Sequence, residues 1–116
     1  MSRDKLDVYS GEDALTVPFL SMGGAGCISV LSNVVPALAV SMTDKFFAGD
    51  VAGAAALQCR MLPLINALFS EVNPIPAKAA MAAMGFCEDY LRLPLTSMED
   101  DHRAVLLDIM RSHGLI

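Results

Sequence analysis

Basic residues are scarce in this sequence: of its 116 residues, eight are Lys or Arg and thirteen are Asp or Glu, and the formal net charge is −5. A nucleic-acid-binding surface requires clustered Lys and Arg, so the composition argues against DNA and RNA partners. The three cysteines, Cys27, Cys59 and Cys87, form no CxxC pair, which indicates neither a disulfide framework nor a zinc site. We therefore expect a reducing, cytoplasmic setting and no metal.

Charged residues are also absent from Ala14 to Thr43, a window long enough to cross a bilayer. Pro18, Pro36 and the Gly23-Gly24 pair break this window into pieces. The flank before it is acidic, whereas a signal peptide begins with a basic segment. We therefore expect no membrane span here.

The chain is nevertheless rich in apolar residues. Its hydrophobic fraction is 54%, above the roughly 45–50% of an ordinary globular chain. A single small domain buries only about 60–70% of its unfolded surface. The surplus therefore predicts a subunit interface or a missing partner sequence.

The N-terminal third predicts the order strand, helix, strand. Leu6–Ser10 alternates apolar and polar residues and reads as a strand. Ser10 and Asp13 have the spacing of a capping box for a helix over 14–22, in which Pro18 should remove a hydrogen bond or mark a kink. A glycine turn then leads to a short buried strand, Cys27–Val30. This order indicates parallel strands joined by a crossover helix.

Beyond this point the pattern predicts helices. One runs over about 35–47 with Pro36 near its start; Gly49 ends it and Asp50 caps the next. The second helix has an apolar stripe that Gln58 and Arg60 interrupt without moving it. The stripe comprises Val51, Ala54, Ala55, Met61, Leu62, Ile65, Leu68 and Phe69.

The C-terminal segment begins with a proline-rich stretch. Residues 71–76, EVNPIP, predict a rigid extended connector because each proline disfavours helix in the residue before it. An Ala-rich helix follows and ends at Gly85. Two overlapping capping boxes, Thr96 with Glu99 and Ser97 with Asp100, predict the start of a last helix that Gly114 closes.

Several residues carry chemistry that a catalytic site would use. The glycines at 23, 24 and 26 lack phosphate-loop spacing and precede a strand, so they indicate a tight turn. Cys27 has no neighbouring histidine to activate it. His102 and His113 stand eleven residues apart, too far to share a metal, and we expect them to be solvated. Lys78 is a semi-buried amine for which a Schiff base and a structural ion pair both remain open.

Three motifs together resemble one enzyme family. They are SGEDALTVPFLSMGGAGCISVLSNVVP, NPIPAK and RLPL, and the family is the 4-hydroxy-tetrahydrodipicolinate synthases, also called dihydrodipicolinate synthases. The resemblance implies an α/β fold: the last two strands of a (β/α)8 TIM barrel over residues 1–49, and a C-terminal helical extension over residues 50–116. The chain would be mostly helical as it stands.

The resemblance also implies a function. In this family, pyruvate forms a Schiff base with a barrel lysine and condenses with L-aspartate 4-semialdehyde in the lysine and diaminopimelate pathway, in a cytoplasmic homotetramer without a cofactor. By motif match, Gly11 would place backbone near the substrate and Ile28 would line the pyruvate pocket. Asn73 would lie near the barrel mouth, by a monovalent-cation site in some members.

The sequence departs from the family in one large respect. The first six barrel strands are absent, and with them the Schiff-base lysine, the proton-relaying tyrosine, the arginine that binds the substrate carboxylate and the lysine feedback site. Lys5 precedes the seventh strand in a different context and is not that nucleophile, so no residue of this sequence is expected to be catalytic. Two strands cannot close a barrel, which needs about eight. We therefore expect a fragment inactive without the missing N-terminal portion; the alternative is a non-catalytic helical interaction or regulatory module derived from the family.

Overall fold

A computed structural model describes residues 6–116, so Lys5 lies outside the described residues. The described chain divides into two compact units, with the division between Leu62 and Pro63. The partition implied by the resemblance, between residues 49 and 50, rests on which residues belong to the barrel and stays a prediction.

The first unit contains two short parallel strands, β1 (Tyr9–Ser10) and β2 (Gly26–Cys27). Backbone hydrogen bonds extend the pairing on both sides: the Ala25 N–H donates to the Val8 carbonyl at 2.8 Å, and the Ile28 N–H donates to the Ser10 carbonyl at 2.7 Å. Both predicted strands exist and are parallel, although each is shorter than predicted and β2 begins one residue earlier, at Gly26. The prediction that the second strand is buried is wrong, since Cys27 is half-buried and Ile28 is 71% exposed.

The segment between the strands is a 3₁₀ turn, Asp13–Leu15, followed by helix α1 (Thr16–Ser21). Pro18 is the third residue of α1. The first four N–H groups of a helix have no partner within it, so Pro18 removes no hydrogen bond there. The predicted loss of a hydrogen bond is therefore wrong, because α1 begins at Thr16 and not at Ala14.

The capping box predicted from Ser10 and Asp13 is also wrong. The Ser10 hydroxyl accepts a hydrogen bond from the Glu12 N–H at 3.1 Å. Glu12 then serves as the cap, because its carboxylate accepts from the Ala14 N–H at 3.2 Å. This leaves the Asp13 carboxylate available for partners further along the chain.

The glycine run forms the predicted turn between α1 and β2. Gly23 has a φ of +95°, a conformation that favours glycine. At Gly24, an added Cβ would lie 2.2 Å from the Phe19 ring. The turn therefore needs glycine for its backbone angle at one position and for close packing at the next.

Three helices follow: α2 (Leu31–Val34), α3 (Pro36–Phe47) and α4 (Val51–Leu68). As predicted, Pro36 is the first residue of α3. Gly49, with a φ of +90°, follows its end. Asp50 caps α4 as predicted, since its carboxylate accepts from the Gly53 N–H at 2.9 Å.

The uncharged window from Ala14 to Thr43 is thus divided among several short elements, as expected. Among the described residues, α4 is the one helix that is long and apolar enough to cross a membrane, by length and composition alone. Core helices of water-soluble domains meet the same criterion, and 44% of this helix is buried.

The stripe predicted on α4 is only partly right. Ala54, Met61, Ile65 and Leu68 are buried as predicted. By contrast, Val51 is 48% exposed and Phe69 lies beyond the end of the helix. Gln58, treated above as an interruption, is only 5% exposed and belongs to the buried face.

The second unit contains the end of α4 together with α5 (Ile75–Ala83) and α6 (Asp100–Ser112). The extended connector predicted over residues 71–76 is wrong. Instead, the Ile75 N–H donates to the Val72 carbonyl at 2.9 Å across a turn with a cis Asn73–Pro74 bond, and α5 begins at Ile75. Gly85 and Gly114 follow the ends of α5 and α6 as predicted, with φ of +82° and +68°.

Helix α6 begins without the two predicted capping boxes. Its N-cap is Glu99, with no side-chain cap of its own. The Glu99 N–H donates instead to the Glu71 carboxylate at 3.0 Å. His102 Nδ1 lies 2.8 Å from the same Glu71 oxygen. The Glu71 carboxylate therefore accepts the Glu99 N–H that the Thr96 hydroxyl would accept in a capping box.

Candidate functional site

The two predicted substrate-contacting residues lie side by side. The strand register pairs Ser10 with Cys27, and Gly11 and Ile28 come directly after this pair. Both therefore stand at the carboxyl ends of their strands. In barrel enzymes this end of the sheet carries the active site.

The Ile28 side chain points to the uncovered face of the sheet. Successive residues of a strand face opposite sides, and Cys27 and Ser29, on either side of Ile28, both contact Asp13. Ile28 is 71% exposed. Among the described atoms outside its chain neighbours, none lies within 4 Å of where a Gly11 Cβ would be. This face therefore has room for a ligand or for further strands.

A buried carboxylate joins the loops that follow the two strands. Asp13 is 3% exposed and accepts hydrogen bonds from the Ser29 hydroxyl, from the Val30 N–H at 2.8 Å and from the Leu31 N–H at 2.9 Å. These donors lie at the start of α2. Sequence reasoning missed this role because it assigned Asp13 to the first turn of its own helix.

The backbone of Asp13 is held as well. Its carbonyl accepts from the Thr16 hydroxyl and from Gln58 Nε2, each at 3.0 Å. Gln58 Oε1 in turn accepts from the Val17 N–H at 3.1 Å. One signal in the sequence does point to Gln58: it lies four residues after Ala54 and three before Met61, which places it on the apolar face.

Cys27 is poorly suited to be a nucleophile. Burial raises the pKa of its thiol, and the negative charges of Asp13 and Glu12 raise that pKa further against the opposing effect of a hydrogen bond with Thr16. Its Sγ lies 3.9 Å from Asp13 Oδ1. A cavity of about 150 Å³ adjoins these groups on the helix-covered side, lined in part by Thr16, Leu31 and Met42. This setting favours a structural role for Cys27.

The remaining candidates lie in the second unit. Lys78 is half-buried in α5, and Asn73 is exposed in the turn before it. His102 is exposed beside Glu71, and His113 caps the C-terminus of α6 with Nδ1 2.9 Å from the Ile109 carbonyl. Within residues 6–116, no group of three or more His, Cys, Asp or Glu side chains is placed to hold a metal ion.

Comparison with known proteins identifies relatives of one kind. A family model described as the dihydrodipicolinate synthetase family matches residues 1–113. The 4-hydroxy-tetrahydrodipicolinate synthase of Lachnoclostridium phytofermentans is 54% identical over 112 residues, which are 97% of this chain and 38% of that protein. The crystal structure of dihydrodipicolinate synthase from Thermotoga maritima matches with a TM-score of 0.96 and 39% identity, over 98% of this chain and 39% of its own.

A third relative is the chloride-inhibited dihydrodipicolinate synthase of Acinetobacter baumannii, solved in complex with pyruvate. It matches with a TM-score of 0.92 and 35% identity, over 97% of this chain and 38% of its own. The chain thus spans 38 to 39% of the length of these three relatives. It corresponds to their C-terminal portion, and its fold is the predicted one, the C-terminal part of a TIM barrel with a helical extension. The chain belongs to the dihydrodipicolinate synthetase family.

Proposed function

We propose that this chain supplies the last two strands and the helical extension of a 4-hydroxy-tetrahydrodipicolinate synthase, a lyase that condenses pyruvate with L-aspartate 4-semialdehyde in lysine biosynthesis. One observation carries the proposal: Gly11 and Ile28 lie side by side at the carboxyl ends of two parallel strands, on a face that the described residues leave open. The pyruvate complex of the Acinetobacter baumannii relative supports the choice of substrate.

The two residues suit different parts of a small keto acid. Gly11 has no side chain, so a ligand can approach its backbone closely. Ile28 offers an exposed branched side chain, which suits an apolar contact with the methyl group of pyruvate. These contacts bind and orient the substrate but transfer no proton and form no covalent bond.

The covalent step requires a lysine from the preceding barrel strands. Its neutral amine adds to the keto carbon of pyruvate, and loss of water gives the imine. Lys78 is on α5 in the second unit, whereas the open face belongs to the first unit. We therefore propose that the chain is inactive until the preceding strands are joined to it, and that the complete enzyme is a cytoplasmic homo-oligomer.

Borohydride trapping tests this division of labour. Borohydride reduces an imine to a stable secondary amine, so a Schiff base becomes a permanent mass increase on the lysine that formed it. The chain is incubated with pyruvate and borohydride, first alone and then fused to the preceding barrel strands of the Lachnoclostridium phytofermentans synthase. We expect no adduct on the chain alone and, in the fusion, one adduct on the added portion.

The variant Lys78→Arg is the matched control, since it keeps the charge but removes the primary amine. It should leave the adduct of the fusion unchanged. An adduct on Lys78 itself would overturn the assignment of the chemistry. A fusion that folds but forms no adduct would favour the alternative, a non-catalytic helical interaction or regulatory module.

A further inference from the structure

We propose that Asp13 is a positioning residue that fixes Ile28 relative to Gly11, so that the two contact pyruvate together. The inference rests on the proposed function of Gly11 and Ile28. It goes beyond that function by assigning a role to a carboxylate that is only 3% exposed.

The residues just after Ile28 are bonded to Asp13. Asp13 holds the next three residues in succession, through the Ser29 hydroxyl and the N–H groups of Val30 and Leu31. The Ile28 N–H is itself bonded to the Ser10 carbonyl. Ile28 is thus fixed on both sides, by β1 before it and by Asp13 after it.

Asp13 is itself held in place at its backbone. Asp13 lies two residues after Gly11, and its own carbonyl accepts hydrogen bonds from Thr16 and Gln58. A carboxylate on a mobile loop would transmit that mobility, whereas this one is buried and held at its backbone. Asp13 therefore adds a second, rigid connection between Gly11 and Ile28 beside the strand pairing.

A displacement of Ile28 relative to Gly11 would affect the binding and use of pyruvate. A displacement of about 1 Å in a group that positions the substrate can cost on the order of a hundredfold in rate. Loss of the connection should therefore weaken the use of pyruvate more than it lowers the amount of folded enzyme. A residue that served folding alone would lower the amount of active enzyme and leave its KM unchanged.

The test uses the fusion with the preceding barrel strands and two pairs of variants. Asp13→Asn removes the charge that three donors share, and Asp44→Asn removes an exposed carboxylate of α3 as its control. Ser29→Ala removes one donor to Asp13 together with the acceptor of the Ser32 N–H, and Ser29→Thr restores a hydroxyl for both. KM for pyruvate and kcat are both measured. The number of active sites, which kcat requires, is counted by the borohydride adduct.

We expect Asp13→Asn to lower kcat/KM for pyruvate by about tenfold or more, mainly through KM, because the substrate contacts lose their spacing. Ser29→Ala should move KM in the same direction by less, and Ser29→Thr should restore it. Asp44→Asn should match the unaltered fusion. Unchanged KM values in Asp13→Asn and Ser29→Ala would overturn the inference, and if Asp13→Asn does not fold, the Ser29 pair decides.

Failure of the proposed function is distinguishable from failure of this inference. A fusion without substitutions that forms no borohydride adduct would refute the function. Amide hydrogen exchange at Val30 and Leu31 would then decide whether Asp13 orders the loop: faster exchange in Asp13→Asn than in Asp44→Asn would support the connection, and equal exchange would refute it.

Discussion

The side-chain amide of Gln58 forms hydrogen bonds with two backbone groups of the segment between the two strands. Its Nε2 donates to the Asp13 carbonyl, and its Oε1 accepts from the Val17 N–H. Val17 is itself buried. Without Gln58, this N–H would lose its partner in a place that water does not readily enter.

We therefore expect Gln58→Leu, which keeps most of the volume, to lower the free energy of unfolding by about 2–3 kcal/mol, since it removes two hydrogen bonds and leaves a buried donor unpaired. Asn66→Leu, at an exposed position of the same helix, should change it by less than about 0.5 kcal/mol. Urea unfolding of both variants measures the difference. Equal stabilities would show that the Gln58 bonds contribute nothing net.

The buried polar residues were the hardest part to predict from the sequence. Asp13 and Gln58 are polar, and amphipathic patterns place polar residues on the surface by default. Their burial depends on partners 14 to 45 residues away in the chain. The spacing of Gln58 places it on the buried face, yet nothing local indicates which backbone groups it would satisfy. Gly11 and Ile28, by contrast, were predicted from motif resemblance, and the strand register places them next to each other.

At the scale of elements, the junction between α3 and α4 combines a charge pair with a helix cap. Lys45, in the last turn of α3, lies 3.0 Å from the Asp50 carboxylate. The other Asp50 oxygen accepts from the Gly53 N–H. The hydrogen bond from Lys45, followed by the one from Gly53 and the charge of Lys45, lowers the pKa of Asp50 below its ordinary value of 3.8.

The lowered pKa of Asp50 means that its negative charge stabilises the folded chain at neutral pH. A carboxyl group whose pKa is lower in the folded state stabilises the fold above its unfolded pKa, and this contribution is lost as the pH falls through the folded pKa. Asp50→Asn keeps an oxygen that can cap α4 but cannot ionise. We expect its Tm to lie below that of the unaltered chain at pH 7 and the gap to close below about pH 3.8.

Asp7→Asn is the control, because Asp7 is exposed and precedes β1 outside any helix. Its Tm should follow that of the unaltered chain throughout the titration. A gap for Asp50→Asn that is the same at both ends of the pH range would show that the charge of Asp50 does not stabilise the junction.

Helix boundaries were predicted well where a glycine determines the backbone angle. They were predicted poorly where several side chains compete to accept the same N–H. Gly49, Gly85 and Gly114 end their helices with positive φ, as expected. The capping boxes at Thr96 and Ser97 did not form, because Glu71, twenty-eight residues before Glu99, supplies the acceptor instead. A local sequence pattern contains no information on such a distant competitor.

At the scale of the whole molecule, the open face of the first unit accounts for part of the apolar surplus. Tyr9 is 51% exposed and Ile28 is 71% exposed, and by strand alternation both lie on the face of Gly11. Sheet edges and apolar faces left open are sites of association between chains. The relatives are more than twice as long as this chain, which agrees with the prediction of a surface that further sequence would cover.

We therefore expect the chain alone to self-associate through this face. Ile28→Lys should reduce both the binding of an apolar dye and the apparent mass in sedimentation, because a charge on the face opposes its burial. Val105→Lys, at a 57% exposed position of α6, is the control and should change neither. Equal effects of the two substitutions would show that charge alone, and not this face, controls association.

The hydrogen bonds from Gln58 to Asp13 and Val17 limit where two genes of this family can be joined without separating the partners. A chimera joined after residue 49 would pair Asp13 and Val17 with a helix from another parent, and their hydrogen bonds would depend on the foreign residue at position 58. A junction after Leu62 keeps the donor, the acceptor and both backbone partners in one parental segment. The safer crossover point thus lies within a helix, next to Pro63, and not in the loop that appears more permissive.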